Sequence, residues 1–345
     1  MSKKKYILLL VVGIICLVGA LGGFKFYKML FNSNVKTETF LYIPTNSNFE
    51  QVFDSIKPHL SKPDSFLYVS KLKGYDTNIK SGKYLIEEGA SSYQIVNLLI
   101  SGKQTPVKLS FNNQDTFEFL AGRISKQIEA DSVSLLKSFK DSKFLTENGF
   151  TSENAIGMYI PNTYEFYWNT NSESFKNKML TEFKRFWNEE RKTKAKKINL
   201  TINEVITLAS IVQKETSAVS ERPMVAKLYL NRIGDGWPLQ ADPTVIFALK
   251  KKIGSHSIIK RVLYNDLKID SPYNTYKNTG LPPGPIGMPD ISSIEAVLNP
   301  ANHSYFYMCA SIQEIGRHEF ANTLREHNVN ALKYQKWLSN QGISR

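Results

Sequence analysis

The sequence predicts an α+β fold in three parts: a membrane-spanning helix, a small βααβ unit and a larger mixed α+β domain. Three observations support this prediction. Residues 6–24 carry no charge. Strand candidates and runs with helical apolar spacing then follow one another, separated by proline and glycine. At 345 residues the chain has room for two domains plus an extension. We therefore place the three parts at 1–31, 32–105 and 106–345.

The first part has the pattern of a membrane anchor. Lys3–Lys5 precede Tyr6–Phe24, and an uncharged run of this length crosses a hydrocarbon core of ~30 Å. The basic start favours a cytoplasmic N-terminus and sends the rest of the chain across the membrane, a bias that Lys25 and Lys28 weaken. A cleaved signal peptide is the alternative. Because the run exceeds a signal core of about 7–15 residues, we expect an uncleaved single-pass anchor.

The composition limits the partners and the cysteine chemistry. A net charge of +13 favours contact with anionic surfaces, such as lipid headgroups or acidic wall polymers, as well as nucleic acid. The chain has none of the common nucleic-acid-binding signatures, so we expect no nucleic-acid partner. Cys16 lies in the apolar run and Cys309 lies near the C-terminus. If the run spans a membrane, the two cannot pair, which excludes a disulfide framework.

The part from 32 to 105 reads as strand, helix, helix, strand, with a further helix after it. Thr39–Ile43 and Lys83–Ile86 are the strand candidates. The helix start and stop signals are Ser47 with Glu50, Pro58, Pro63, Gly74, Ser91 with Gln94, and Gly102. This order resembles the LysM-type glycan-binding module. A purely structural spacer domain is the alternative, and the pattern leaves both open.

The stretch from 106 to 200 leads to the central helix of the chain. Val107–Phe111 reads as a strand, and Asp115 with Glu118 predicts the cap of the following helix. A second helix is predicted in Val133–Phe139, and Ser174–Glu190 is helical, followed by a basic loop at Arg191–Lys197. The aromatic segment from Gly157 to Trp168 suits either a sugar-binding wall or a buried hairpin core.

The central helix brings a carboxylate to the edge of an apolar face. Thr201 and Glu204 form a capping-box signature. The apolar residues that follow at helical spacing are Val205, Leu208, Ile211 and Val212. Glu215 lies three and four residues after the last two of them, and therefore on the same face. Desolvation there raises a carboxyl pKa, which suits a general acid. An ordinary solvated glutamate at a helix end is the alternative.

The remaining chain alternates short helices with irregular segments. A helix restarts with Pro223 in its first turn, and Trp237–Thr244 is rich in turn residues before a helix at Val245–Leu249 that ends in the basic Lys250–Ile253. Ser271–Gly287 is too rich in proline and glycine for a helix or a central strand. A long irregular loop in a compact domain usually binds something, and its Tyr, Asn and Thr residues offer stacking surfaces and hydrogen-bond donors.

The C-terminal part reads as helix, hairpin, helix. Ser293–Leu298 is a short helix, and Ser304–Ala310 pairs with His318–Ala321 across Gly316. Thr323 with Glu326 caps the last helix, which continues through Trp337.

These motifs together resemble a known family. The stretches that carry the likeness are Ala209–Thr216, Ser220–Arg222, Asn231–Arg232, Leu239–Thr244, Tyr273–Tyr276 and Gly280–Ile286. The sequence resembles the membrane-anchored endolytic murein (peptidoglycan) transglycosylases, the MltG or YceG-like family, over nearly its whole length. The family's second acidic position in a Glu-Lys-Glu-Thr motif is catalytic and falls on Glu215. The first acid of that motif is Gln213 here. Because Gln213 lies off the apolar face, we expect it to alter support of the site without removing activity.

The resemblance implies a lytic transglycosylase. Such an enzyme cleaves the bond between N-acetylmuramic acid and N-acetylglucosamine without water and leaves 1,6-anhydro ends. Ordinary glycosidases need two carboxylates. Here one carboxyl, that of Glu215, first donates a proton to the leaving oxygen and then takes the proton of the muramic C6 hydroxyl. The resemblance also implies a bacterial inner-membrane protein, single-pass, with its catalytic domain on the periplasmic or outer face. Nascent glycan strands and the peptidoglycan synthases are its implied partners.

The candidate substrate-binding residues are Gln240, Asp242, Thr244, Tyr273, Asn274, Thr275 and Tyr276. The neutral donors among them can hold acetamido and hydroxyl groups. Asp242 is different, because a second carboxylate at a suitable distance would allow hydrolysis. Two alternatives therefore remain: a two-carboxylate glycan hydrolase and a non-catalytic wall-binding or scaffold protein. The five histidines form no His-Glu-x-x-His motif, and a Gly-x-Ser-x-Gly elbow and a phosphate loop are also missing. We expect no metal and no cofactor.

Overall fold

The computed structural model describes residues 3–259 and 261–341. These residues form two compact units. The first unit contains the chain up to Leu109 together with two later segments, Gln127–Ala130 and Tyr164–Asn171. The sequence pattern assigns both of these segments to the domain from 106 onwards. The second unit contains Ser110–Lys126, Asp131–Thr163 and the chain from Ser172 on.

The described residues form helices mixed with short strands, which confirms the α+β class. The helices are α1 (Lys3–Phe31), α2 (Phe49–Ile56), α3 (Pro63–Leu72), α4 (Ser92–Ser101), α5 (Phe117–Ile124), α6 (Ser132–Phe139), α7 (Ser142–Glu147), α8 (Ser172–Phe186), α9 (Glu189–Lys197), α10 (Ile202–Glu215), α11 (Arg222–Gly234), α12 (Asp242–Ile253), α13 (Ile291–Leu298) and α14 (Leu324–Asn340). The strands are β1 (Thr39–Ile43), β2 (Gly82–Ile86), β3 (Val107–Phe111), β4 (Asn162–Phe166), β5 (Tyr307–Ala310) and β6 (His318–Ala321). They pair as β1–β2, β3–β4 and β5–β6.

The first unit begins with the helix predicted as an anchor. Helix α1 is long and apolar enough to cross a membrane, and most of its side chains are exposed. After it, β1 and β2 pair antiparallel, with Thr39 opposite Ile86 and Ile43 opposite Gly82. Helices α2, α3 and α4 enclose a core that includes Val52, Phe66, Tyr75, Tyr84 and Val96. The predicted order strand, helix, helix, strand, helix is therefore confirmed.

Two helix caps differ from the sequence prediction by one residue. Helix α2 is capped by Asn48 with Gln51, because the Asn48 side chain accepts the Gln51 N–H and the Gln51 side chain accepts the Asn48 N–H. Ser47 and Glu50 do not form this box. Helix α5 is capped by Thr116, whose hydroxyl accepts the Phe119 N–H. The carboxylate of Asp115 pairs instead with Lys214, at 2.6 Å.

The predicted basic loop at 191–197 is a helix. Asn188 caps α9 by accepting the Arg191 N–H. Acidic residues stand in its first turn and lysines in its last turn, which complements the helix dipole. Glu190 also pairs with Lys194 one turn later, at 2.7 Å. The prediction was wrong because it considered the basic residues without this cap and these pairs.

The second unit is built around α10. Its capping box is formed by Thr201 and Glu204 as predicted, and residues 205–212 are all buried. The helix packs against α11, α12 and α13. The irregular loop at 271–287 closes against this core. A Cβ on Gly284 would lie 2.3 Å from the Glu153 carbonyl oxygen, so this close approach requires glycine.

The C-terminal hairpin and helix follow the prediction. Strands β5 and β6 pair antiparallel, with Tyr307 opposite Ala321 and Ala310 opposite His318. Thr323 and Glu326 form the capping box of α14.

Candidate functional site

Glu215 is the last residue of α10, where the buried face of that helix ends. Its side chain is partly buried. The Tyr229 hydroxyl, which α11 holds in the core, donates a hydrogen bond of 2.8 Å to Glu215 Oε1. Tyr229 itself is 1% exposed, so this donor is fixed by packing. The Tyr229 hydrogen bond therefore fixes Oε1 of the carboxyl and does not involve Oε2.

The surroundings of Glu215 keep its carboxyl protonated to near neutral pH. Desolvation is the largest cause, and together with the negative charge of Asp242 it outweighs the Tyr229 hydrogen bond and the positive charges of His318 and Arg232. The pKa of Glu215 is raised to about 7. This agrees with the effect that the apolar helix face predicts. A carboxyl with such a pKa can donate a proton and accept it again at neutral pH.

A second carboxylate lies close enough to act on Glu215 through its charge. Asp242 is the first residue of α12, and its side chain is exposed. Its Oδ1 accepts a 2.6 Å hydrogen bond from the Tyr276 hydroxyl. Burial, followed by this bond, raises the pKa of Tyr276, so the hydroxyl stays a donor. The sequence singled out both residues but gave no reason to pair them.

The sequence reasoning did not identify a pair formed by Glu221 and His318. The Glu221 carboxylate, 5% exposed, accepts the His318 backbone N–H at 2.6 Å. His318 Nδ1 lies 3.0 Å from the other oxygen of the same carboxylate. The positive charge of His318 lowers the pKa of Glu215. Because the pair is separated by 97 residues, spacing gives no signal for it.

Arg232 joins the segments that surround the site. It is 8% exposed, and its Nε donates to the Phe306 carbonyl at 2.8 Å. Its Nη1 donates to the carbonyl of Leu239, which directly precedes Gln240 and lies three residues before Asp242. The guanidinium therefore fixes the turn that leads into α12 and also places a positive charge near Glu215.

The other predicted binding residues divide by exposure. Gln240 is exposed and has a left-handed backbone, with φ of 51°. Thr244 and Thr275 are buried, and their hydroxyl oxygens lie 2.8 Å apart. Asn274 is buried and donates to the carbonyls of Leu267 and Ile269, at 2.8 Å each.

Tyr273 is also buried, and its ring packs on Phe247 with centroids 4.7 Å apart. The backbone of this region is tied together as well. Gln240 N–H donates to the Thr275 carbonyl at 3.0 Å, and Ala241 N–H donates to the Thr275 hydroxyl at 3.0 Å. The 271–287 loop and the start of α12 are thereby joined.

Gln213 supports the neighbouring helix. Its side-chain oxygen accepts the Asp290 N–H and the Ser293 hydroxyl, and its amide donates to the Met288 carbonyl at 3.4 Å. Asp290 caps α13 and receives two hydrogen bonds from Arg222, of 2.8 and 2.9 Å. The neutral amide of Gln213 thus contacts Met288, Asp290 and Ser293 at the start of α13.

The described residues contain no cluster of three or more His, Cys, Asp or Glu side chains arranged to hold a metal ion. The groups gathered around Glu215 are instead those of acid–base chemistry: one carboxyl of raised pKa, a buried phenol donor, a second carboxylate and a carboxylate-held imidazole.

The model of the YceG-like family matches residues 41–333. This chain belongs to the YceG-like family. A Bacillus subtilis relative named endolytic murein transglycosylase is 30% identical over 335 residues, which cover 91% of this chain and 90% of the relative. A Streptococcus pneumoniae relative of the same name is 27% identical, and the match covers 91% of this chain but 62% of that longer protein.

A crystal structure of a YceG-like protein from Listeria monocytogenes has the same fold. It superposes with a TM-score of 0.57 at 27% sequence identity, covering 85% of this chain and 98% of the other. The family membership indicated by the sequence motifs is therefore confirmed.

Proposed function

We propose that this YceG-like protein is a membrane-anchored endolytic peptidoglycan lytic transglycosylase. It cleaves bonds between N-acetylmuramic acid and N-acetylglucosamine within glycan strands and terminates the elongation of nascent strands. The observation that carries the proposal is the Glu215 carboxyl, whose pKa of about 7 suits both halves of the reaction. The names of the Bacillus and Streptococcus relatives support the reaction class and the substrate.

In the proposed reaction Glu215 acts twice. Its protonated carboxyl donates the proton to the glycosidic oxygen while the bond from muramic C1 to that oxygen breaks, and the bonding pair leaves with the oxygen. The muramic C6 hydroxyl oxygen then bonds to C1, and the Glu215 carboxylate takes the hydroxyl proton. The products are a 1,6-anhydro end and a free N-acetylglucosamine hydroxyl. Glu215 is protonated again at the end, and no water is consumed.

The Tyr229 hydrogen bond to Oε1 orients the carboxyl for this exchange. It leaves Oε2 as the oxygen that faces the glycosidic bond. The imidazole of His318, held by Glu221, favours the ionised form of Glu215 that exists between the two proton transfers.

The binding residues are part of the same proposal. Exposed Gln240 and Asp242, with Tyr276 bonded to the latter, are proposed to contact the sugar hydroxyl and acetamido groups. Tyr273, Thr244, Asn274 and Thr275 are buried, and we propose that they serve substrate binding by holding the loop and the Gln240 turn in place.

The remaining parts of the chain fit the same activity. We propose that α1 anchors the protein in a bacterial inner membrane and that the rest of the chain stands on the periplasmic or outer face, beside the peptidoglycan synthases. The unit from β1 to α4 is proposed to be a LysM-like domain, on the basis of its order of strands and helices. The net charge of +13 suits contact with anionic lipid and wall polymers.

A glycan hydrolase is the second candidate, and Asp242 favours it. Its charge acts on Glu215, as expected for two carboxylates that share one site. With Glu215 as acid and Asp242 as base, water would replace the C6 hydroxyl as the nucleophile. The products would then carry reducing ends instead of anhydro ends.

The test uses the full chain in detergent micelles with uncrosslinked glycan strands, and mass spectrometry identifies the product ends. The matched variant is Glu215→Gln, which keeps the shape of the side chain and removes the transferable proton. We expect anhydro-muramic ends from the parent and a rate lower by about 10²–10⁴ in the variant. Reducing ends that disappear in Asp242→Asn would establish the hydrolase. If parent and variant both release nothing, either a membrane-bound partner is required or the chain is a non-catalytic wall-binding protein.

A further inference from the structure

A cavity of about 210 Å³ lies next to the catalytic helix within the second unit. It is separate from the groups gathered around Glu215, and the reaction proposed above does not use it. Its apolar side is formed by Pro243, Ile246 and Phe247 of α12 and by Ile286 of the irregular loop. The three α12 residues are spaced at i, i+3 and i+4, so they lie on one face of that helix.

The cavity also carries a net positive charge. Its lining includes Lys214, Lys250 and Lys251 but only one carboxylate, that of Asp115. Lys214 Nζ lies 2.6 Å from Asp115 Oδ1, whereas Lys250 Nζ lies 3.8 Å from Asp115 Oδ2. The latter distance is beyond hydrogen-bond range, so the Lys250 ammonium keeps donors for another partner. Apolar walls beside an ammonium with donors available suit a small aliphatic ligand that bears a carboxylate.

The position of the cavity ties it to the catalytic site. Lys214 directly precedes Glu215, and Pro243 directly follows Asp242. Since neighbouring Cα atoms are about 3.8 Å apart, the same two backbone segments line both the cavity and the reacting groups. The cavity therefore borders the segments that carry Glu215 and Asp242, on the side where Lys250 lies.

We propose that this cavity binds the peptide stem of the muramic acid residue at the cleavage site, an inference that rests on the proposed function. That stem is a short peptide with methyl-bearing alanine residues and free carboxylates, attached to the sugar that bears the broken bond. The methyl groups pack on Ile246 and Phe247, and a stem carboxylate accepts a hydrogen bond from Lys250. A volume of about 210 Å³ is below the ~300–1,000 Å³ of pockets for larger ligands, so it suits one or two small residues.

The experiment compares two substrates with the full chain in micelles. One is uncrosslinked strands that carry stem peptides, and the other is the same strands after an amidase has removed the peptides. We expect kcat/KM to be about tenfold higher for the peptide-bearing strands, the size of one charge-assisted hydrogen bond. In Lys250→Glu this ratio should fall to about one. Lys252→Glu is the matched control, because Lys252 is exposed on the same helix and does not line the cavity.

A ratio near one for the parent, or an unchanged ratio in Lys250→Glu, would overturn the inference. If the parent cleaves neither substrate, the proposed function fails, and direct binding then decides the inference by itself. In that case the full chain is titrated with the free stem pentapeptide. Saturable binding that is lost in Lys250→Glu and kept in Lys252→Glu supports the cavity as a peptide site, and lack of binding to the parent rejects it.

Discussion

The interiors of the two units differ in their polar content. The buried polar side chains of the first unit are all small and neutral: Asn34, Ser65, Ser70, Ser91 and Ser92. The second unit buries Lys176, Glu221, Arg222 and Arg232, which are the buried charged side chains among the described residues. Burying a charge is unfavourable unless it is paired, so apolar packing alone does not account for these four residues.

Three of the four buried charges of the second unit lie in or beside the candidate site. Glu221 holds His318, Arg222 holds the Asp290 cap of α13, and Arg232 holds the Leu239 carbonyl. The first unit therefore has an interior whose stability rests on packing, while the second also rests on ionisable groups. This difference leads to distinct responses to substitution and to pH.

The largest effect is expected in the core of the first unit. Phe66 is fully buried and stacks on Phe49 and Phe53, with ring centroids 6.3 Å apart in each case. Phe66→Ala should lower the free energy of unfolding of that unit by about 4 kcal/mol, since it removes apolar contacts and leaves a cavity. Urea denaturation followed by circular dichroism should give the same loss at pH 5 and pH 8. A loss that depends on pH would contradict the packing account.

The effect of replacing Glu215 on stability should depend on pH, unlike the effect of Phe66→Ala. The pKa of Glu215 is about 7 in the folded protein, above its ordinary value, so folding favours the protonated form. The stability that comes from the protonated carboxyl is fully present below the pKa of the unfolded chain and is lost as the pH rises through 7. The Glu215→Gln side chain stays neutral at every pH. The free energy of unfolding of this variant should therefore equal that of the parent at pH 4 and exceed it by about 3 kcal/mol at pH 8.

Thermal or urea unfolding of parent and variant across this pH range measures the difference. Glu147→Gln is the control, because Glu147 is exposed at the end of α7 in the same unit and lies outside the site. A constant difference between Glu215→Gln and the parent would mean that Glu215 titrates in the folded protein as it does in the unfolded chain.

The buried guanidinium gives the next effect. Arg232→Met keeps the apolar length of the side chain but leaves the carbonyls of Leu239 and Phe306 without their donor. We expect the free energy of unfolding to fall by about 2–3 kcal/mol, because buried acceptors are left without a hydrogen bond. Glycan cleavage should also fall, because the Gln240 turn loses its support. Arg261→Met, at an exposed position, should change neither measurement.

The smallest expected effects are opposite shifts of the pH profile. The proposed general acid, Glu215, must be protonated to donate, so cleavage should decline as the pH rises through about 7. Tyr229→Phe removes a bond that lowers the pKa of Glu215 and should move this decline to higher pH. Asp242→Asn removes a charge that raises it and should move the decline to lower pH. Each shift should be smaller than about one pH unit. If the pH profiles of both variants moved in the same direction, the opposite effects of Tyr229 and Asp242 on the pKa of Glu215 would be excluded.

The sequence by itself predicted the elements whose signals are local. The Thr201–Glu204 and Thr323–Glu326 capping boxes are formed as predicted, because a capping box joins groups three residues apart. The position of Glu215 at the end of a buried helix face also follows from periodicity alone. Two cap predictions were wrong by one residue, because neighbouring polar side chains compete for the same cap position. Asn48 caps α2 in place of Ser47, and Thr116 caps α5 in place of Asp115.

Only the tertiary structure decided what surrounds Glu215. Helical spacing placed the carboxyl on an apolar face, but the Tyr229 donor comes from α11, and the Glu221–His318 pair joins residues 97 positions apart. The role of Gln213 was equally hidden, because the α13 N-terminus that it supports lies more than 70 residues later in the chain. Contacts between distant segments depend on how helices pack, and spacing within one helix carries no information about its partners. The sequence therefore determined which residue is the candidate acid, and the packing of α10, α11 and α12 determined the surroundings that raise its pKa.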